Sequence, residues 1–360
     1  MLGKIEFEYI YEYNKSFLHN AYKQFPLCFV MQRQGAWIDV YLIEERNLSI
    51  TPTKKKVTLD RKLSEHMNSL GIGFNSWVPS VDSIFFNKTN VILHSGVTTY
   101  KETKAVTDSL ARKLPFAPQA GYNPCLSVGF LTATSDKKLI LQRRPEGVHC
   151  ERTFIHEPCG YMSSGYIDPR PENLVDEELI KNPGLYSLNM QLNRRRKEIA
   201  GTFNMPVDSV SYDPQQDFLG AGWRTVEMYL STTGRINASE EELRKSRNEM
   251  IKKLEMEGKQ KEADKERIVE HCFVPFEDLK SLIFSQGKMS SINPVGYIPK
   301  NFTDLPLLDE TTSGLIFGYN KITQEKLDVR ETTDRLNHDG MSIIIYNNAP
   351  GMKYGFPTKF

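Results

Sequence analysis

The stretch LYSLNMQLNRRRKEIAGTFNMP (185–206) constrains this chain most, because its apolar residues Leu188, Leu192, Ile199 and Phe203 recur close to helical spacing and it stops at Pro206. Such a helix needs an apolar surface to lie on, and its neighbours supply one. Upstream, CLSVGFLTAT and KLILQRR flank the turn-rich gap Ser135-Asp-Lys-Lys138, which predicts a β-hairpin. Between hairpin and helix, residues 160–185 are rich in Gly, Pro, Asp and Ser and predict a long loop, the kind that often borders a ligand site. Strand-like runs follow at 207–212 and 225–230. The order hairpin, loop, helix, strand predicts an α+β unit.

What surrounds this unit predicts two further segments. Residues 1–113 alternate β-rich runs (FPLCFVMQ, AWIDVYLI, VDSIFFN, NVILHSG) with turns and one helical stretch, LDRKLSEHMNSLG, and form a small α+β domain. A Pro-marked link at 114–118 opens the central domain, 114–285. Near its end a charged helix starts at Ser239, with Ser239 and Glu242 spaced as a capping box and Leu243, Met250 and Leu254 on one face. Residues 286–360 read as a C-terminal extension, punctuated by Pro, Gly and Asn around one strong strand, MSIIIYNN.

Charge and cysteine content narrow the function classes. With 360 residues the chain has room for about two to three domains. Its 46 Lys+Arg stand against 45 Asp+Glu, so no global field favours nucleic acid and any basic site is local. Five cysteines, an odd and small number, argue for reduced thiols. The start, MLGKIEFEYIYEYNKSF, has no continuous apolar h-region, and no apolar run approaches the ~20 residues that span a bilayer. A cytoplasmic or nuclear protein without membrane contact is expected.

Several stretches resemble the Nudix hydrolase superfamily, and within it the branch acting on nucleotide sugars such as UDP-glucose. LHSGVTTYKET (93–103) is similar to that branch's Leu-Gly-Leu-Thr-Asp-Tyr-Arg segment, LILQRRPEG (139–147) to its Leu-Leu-Gln-Arg-Ser strand, and EPCGYMSSG (157–165) to its Pro-Gly-Gly-His-Pro-Glu turn. RKEIAGTFNMP (196–206) resembles its Arg-Glu-Ile-x-Glu-Glu-x-Asn-Leu-Pro helix end, and GWRTVEMYL (222–230) the strand after it. The resemblance covers roughly 92–285. It implies an α/β/α sandwich with a mixed sheet and a nucleoside-diphosphate-linked ligand. It also implies a helix presenting carboxylates at i, i+3 and i+4 to Mg²⁺ or Mn²⁺.

Laid on that pattern, the helix departs from it. With Asn204-Met205-Pro206 matching the motif's end, the Arg-Glu pair becomes Lys197-Glu198, the two metal-binding glutamates become Gly201 and Thr202, and the earlier glutamate becomes Asn189. Glu198 is then the lone catalytic and metal-binding candidate, among Arg194, Arg195, Arg196 and Lys197. A second register sets Arg194, Glu198 and Gly201 on the motif's Arg, Glu and Gly, keeps one ligand, and leaves Ile199 at the second. Acids of the insertion (Asp168, Glu172, Asp176, Glu177, Glu178) offer replacement ligands, and the resemblance places Glu227 near the site. For the ligand's phosphates it implies Arg143 or Arg144, beside Gly160, with Arg196 and Lys197 as a further positive run. His149, Cys150, His156 and Cys159 lack the paired spacing of a structural zinc site. The expected function is ligand binding with diphosphate hydrolysis weak or lost. The alternatives are an active hydrolase with a rebuilt metal site, or an inactive module for RNA 5′ ends or protein partners.

Overall fold

The computed structural model describes residues 27–33, 36–42, 47–56, 61–72, 75–86, 89–111, 114–115, 124–143, 154–156, 158–162, 186–213, 218–222, 227–285, 309–325, 327 and 342–347. These residues form a mixed α/β structure around an open, mixed sheet. In chain order its strands are β1 (Leu27–Arg33), β2 (Ala36–Leu42), β3 (Asn47–Lys56), β4 (Trp77–Phe86), β5 (Asn90–Thr99), β6 (Cys125–Ala133) and β7 (Lys138–Arg143). β8 (Phe154–His156), β9 (Cys159–Tyr161), β10 (Val210–Tyr212), β11 (Phe218–Gly222), β12 (Glu227–Ile236), β13 (His271–Pro275) and β14 (Ser342–Asn347) follow. The helices are α1 (Arg61–Ser69), α2 (Tyr100–Ala111), α3 (Leu188–Thr202), α4 (Glu240–Met256), α5 (Gln260–Ile268), α6 (Phe276–Phe284) and α7 (Asp309–Thr323).

The main path across the sheet runs β14-β1-β2-β11-β12-β6-β4-β5-β3. β12 pairs parallel with β6 and β3 parallel with β5, while the other pairings are antiparallel. All nine residues of β6 are buried. Successive strand residues point to opposite faces, so both faces of β6 are covered, as a central parallel strand requires. α3 and α7 both pack on it.

Strands from all three expected segments share this sheet. β1 and β2 lie between β14 and β11, and β4 meets β6 through Ser80 and Cys125. The expected β6–β7 hairpin is present only at its turn, where Ala133 pairs with Leu139 and Lys137 has φ 60°. Beyond that pair the strands part: β6 takes β9 at Ser127–Gly129 and β7 takes β13 and β8. Helices α2, α6 and α7 escaped the sequence reading. α2 follows β5 with no break and carries β-branched Thr and Val, and α7 lies among the punctuation of the C-terminal segment, with glycines inside it.

α3 forms as its periodicity predicts. The Ser187 hydroxyl accepts from the Met190 N–H as N-cap, and Leu192, Ile199 and Phe203 are buried. Ile199 and Phe203 join Ile140, Val210, Ile236, Leu243 and Phe273 in one core cluster. The α4 capping box of Ser239 and Glu242 is formed, but the buried face is Leu243, Arg247 and Ile251, with Met250 and Leu254 half-buried. Arg247 explains the rotation, since its guanidinium donates to the carbonyls of Thr202 (3.0 Å) and Glu266 (2.6 Å), tying α4 to α3 and α5. Among the described residues no helix is long and apolar enough to cross a membrane.

Candidate functional site

α3 ends in a left-handed turn at Asn204. The helix closes at Thr202, Asn204 takes a left-handed φ of 52°, and the Met205 N–H turns back to the Ala200 carbonyl at 2.8 Å. Asn tolerates this conformation better than most side chains, so the chain leaves the helix here and Met205 packs on the core. Ile199, one turn earlier, is fully buried in the core cluster.

Two arginines hold Glu198. Arg194 Nε donates to Glu198 Oε1 at 3.1 Å from one turn earlier, and Arg195 Nη1 to Oε2 at 2.5 Å. Arg195 is the buried partner, 7% exposed, and its Nη2 donates to the Tyr161 carbonyl on β9 at 2.7 Å. A side chain at Gly160 would have its Cβ 3.2 Å from Arg195 Nη2, so the glycine is what lets the guanidinium settle on the turn. One arginine therefore fastens the helix carboxylate to the glycine turn. Gly201 and Thr202 bring no carboxylate, and Gly201 faces open space.

The next group lies beyond Tyr161. Its hydroxyl hydrogen-bonds Glu227, the first residue of β12, which stands opposite Cys125 in the parallel register. Burial first, then the Glu227 carboxylate, push the Tyr161 phenol well above its ordinary range. The Cys125 thiol is also pushed up, to about 12, by burial, against the lowering effect of its 2.7 Å contact with the Thr103 hydroxyl. Tyr100 of α2 meets the Tyr161 ring edge-on at 5.6 Å, and Lys104 sets its ammonium 5.4 Å from the Tyr100 ring centre and 5.8 Å from that of Tyr161.

Gly160, Glu198 and Glu227 are thus brought together, linked through Arg195 and Tyr161. The other candidates are directed elsewhere. Arg196 donates to the carbonyls of Val207 (3.0 Å) and Val210 (2.6 Å) and pairs with Asp208, pinning the turn after α3. Arg143 pairs with Glu270 at 3.0 Å and its N–H bonds the Glu270 carbonyl, which fastens β7 to the entry of β13. Lys197 is exposed. Arg144, His149, Cys150 and the acids Asp168, Glu172, Asp176, Glu177 and Glu178 lie outside the described residues, as does the side chain of His156.

Tyr161, Tyr100 and Lys104 escaped the sequence reading, and Arg195 entered it only as a member of the positive run. For Arg195 a signal existed: it sits three residues after Leu192 and four before Ile199, on the apolar stripe rather than the solvated face. Among the described residues no group of three or more His, Cys, Asp or Glu could hold a metal ion. Comparison with models of known protein families and with curated proteins finds no match for this chain.

Proposed function

We propose that this chain is a Nudix-fold protein that binds a nucleoside-diphosphate-linked ligand of the nucleotide-sugar kind, with diphosphate hydrolysis weak or lost. The observation that carries the reading is the double arginine grip on Glu198, the one acid left on the helix that resembles the family's metal-binding helix. Mg²⁺ demands near-octahedral oxygen ligands, generally one or two carboxylates plus substrate phosphates. Here both oxygens of Glu198 already accept from guanidinium groups, and the neighbouring cations repel a second positive ion. The same cations favour an anionic ligand, since guanidinium and ammonium groups are good partners for phosphate oxygens.

The test is a pair of measurements on the whole chain. UDP-glucose binding, followed by thermal shift and calorimetry, is expected without added metal, and hydrolysis of its diphosphate linkage with Mg²⁺ or Mn²⁺ is expected far below the ordinary enzymatic range of about 1 to 10³ s⁻¹. Turnover within that range, abolished by Glu198→Gln, would overturn the loss of hydrolysis. No binding of any nucleoside-diphosphate sugar, together with binding of capped RNA, would replace the reading with the RNA module.

A further inference from the structure

We infer that the cleft between the C-terminal end of α7 and the paired strands β10 and β12 binds a small carboxylate monoanion, with Arg235 of β12 as the group that takes the carboxylate. The cleft lies on the sheet face opposite to α3, and the inference stands independently of the reading above.

Strand pairing builds the cleft. Ser211 of β10 stands opposite Arg235 of β12, and the Asp213 N–H donates to the Thr233 carbonyl at 2.9 Å. Side chains alternate along a strand, so Arg235 and Thr233 share the face of Tyr229, while Ile236 turns the other way into the core cluster that holds Ile199 and Phe203 at α3. α7 covers the first of these faces: Ser313 is bonded to the Tyr229 hydroxyl, and a Cβ at Gly314 would come within 3.2 Å of the side chain of Leu131, which stands opposite Thr233. Towards its end α7 brings Lys321 to Asp213, and the two pair at 3.2 Å. Here lies a cleft of about 340 Å³, lined by Ser211, Asp213, Thr233, Arg235 and Lys321 together with Tyr212 and Gly234.

Charge fixes the kind of ligand. Of the three charged residues lining the cleft, Lys321 and Asp213 form an ion pair and contribute no net charge. Arg235 is exposed and, among the described residues, makes no hydrogen bond or ion pair. Its guanidinium presents parallel N–H donors that match the two oxygens of a carboxylate, and Ser211, on the same face, adds a hydroxyl. The lining therefore carries one positive charge, which one carboxylate balances. A phosphate monoester is largely a dianion at neutral pH and would set its second charge against Asp213. The volume falls at the lower end of the range of about 300 to 1,000 Å³ that ligand pockets occupy, which suits a small molecule.

The experiment titrates the whole chain with benzoate, its neutral isostere benzamide, and inorganic phosphate, and compares the parent with Arg235→Met and Arg235→Lys. NMR of arginine-labelled protein follows the side-chain Nε–H signals, the one missing from both variants being that of Arg235, and relaxation of the ligand's own signals gives the affinities. Because Arg235 is exposed, both variants should melt as the parent does. Benzoate should move the Arg235 signal and bind Arg235→Met about ten-fold or more weakly than the parent, with Arg235→Lys between them because it keeps the charge and loses the fork. Phosphate should bind more weakly than benzoate, and benzamide more weakly still. An Arg235 signal that benzoate leaves in place, or equal affinity of parent and Arg235→Met for benzoate, overturns the role of Arg235. Benzamide binding as tightly as benzoate overturns recognition by charge, and phosphate binding more tightly overturns the choice of a carboxylate.

Discussion

The guanidinium of Arg195 occupies the space that a side chain at Gly160 would need: a Cβ there would come within 3.2 Å of Nη2, while the same nitrogen donates to the carbonyl of Tyr161 at 2.7 Å. Helix α3 and strand β9 are joined through this contact, and Glu198 is joined to both. A charged group so enclosed is an anchor, because its hydrogen bonds run to a backbone carbonyl and a carboxylate rather than to water.

Removing the anchor should cost measurable stability. Arg195→Met keeps the stem and loses the donor to the Tyr161 carbonyl, which costs about 1.5 to 3 kcal/mol for a hydrogen bond to a charged group. Gly160→Ala should also destabilise, through the strain of a side chain at φ 157° and through the contact with the guanidinium, which has to yield by a few tenths of an ångström. In the Arg195→Met background the alanine should cost less but still cost something, because the positive φ of 157° at residue 160 strains any side chain there, and urea denaturation of the four proteins of this cycle gives the coupling. Full additivity would contradict the contact.

Gly201 offers the opposite sign. It lies inside α3 with an ordinary helical backbone, is exposed, and has nothing within 4 Å of a built Cβ. Gly201→Ala should stabilise the protein by about 0.8 to 1 kcal/mol, seen as a higher midpoint in urea. The same open space admits Gly201→Glu with Thr202→Glu. If the register ending on Asn204 is correct, that double variant gains Mg²⁺-dependent cleavage of UDP-glucose; a folded, ligand-binding but inert double variant counts against the register.

Gly220 on β11 is a stricter case. A Cβ there would stand 2.1 Å from the ring of Tyr229, whose hydroxyl is bonded to the Ser313 hydroxyl of α7 at 2.5 Å and which is 3% exposed. The ring is held at both ends and cannot swing aside. Gly220→Ala should therefore destabilise by about 1 to 3 kcal/mol, as overpacking of a filled site does. Adding Tyr229→Leu, which empties the space, should recover part of the loss in thermal melts; no recovery would contradict the steric account.

His271 sets a pH dependence. Burial first, then the charges of Arg247 and Arg244, lower its pKa from the ordinary 6.5 to about 3, and its ring packs 4.9 Å from that of Phe203. The unfolded chain therefore binds a proton at a pH where the folded one does not. The stabilisation is complete above the unfolded value and is lost as pH falls from 6.5 towards 3, with a slope of at most about 1.4 kcal/mol per pH unit. Between pH 7 and 5 this amounts to about 2 kcal/mol. Urea curves of the parent and His271→Leu should diverge by that much in pH dependence, and parallel curves would contradict the burial of a neutral ring.

The sequence by itself determined the local elements of this protein and little about how they meet. The Leu192, Ile199, Phe203 stripe makes α3 a helix, and Asn204 followed by Pro206 ends it. The Ser239 and Glu242 box starts α4, and the apolar runs of β1, β2, β5, β6, β7 and β14 are strands. Each of these rests on neighbours within about one turn of chain or on alternation along it, which a linear reading captures. The tertiary structure decided the rest. That β6 takes β12 in parallel and parts from β7 after one pair follows from burial of both its faces, a property of the assembled sheet. The orientation of Arg194, Arg195 and Arg196 is equally global: three identical residues in a row point to a carboxylate on their own helix, to a glycine turn, and to the carbonyls after Pro206. Helical geometry turns each by about 100° from the last, so only what lies against each face of α3 assigns their partners.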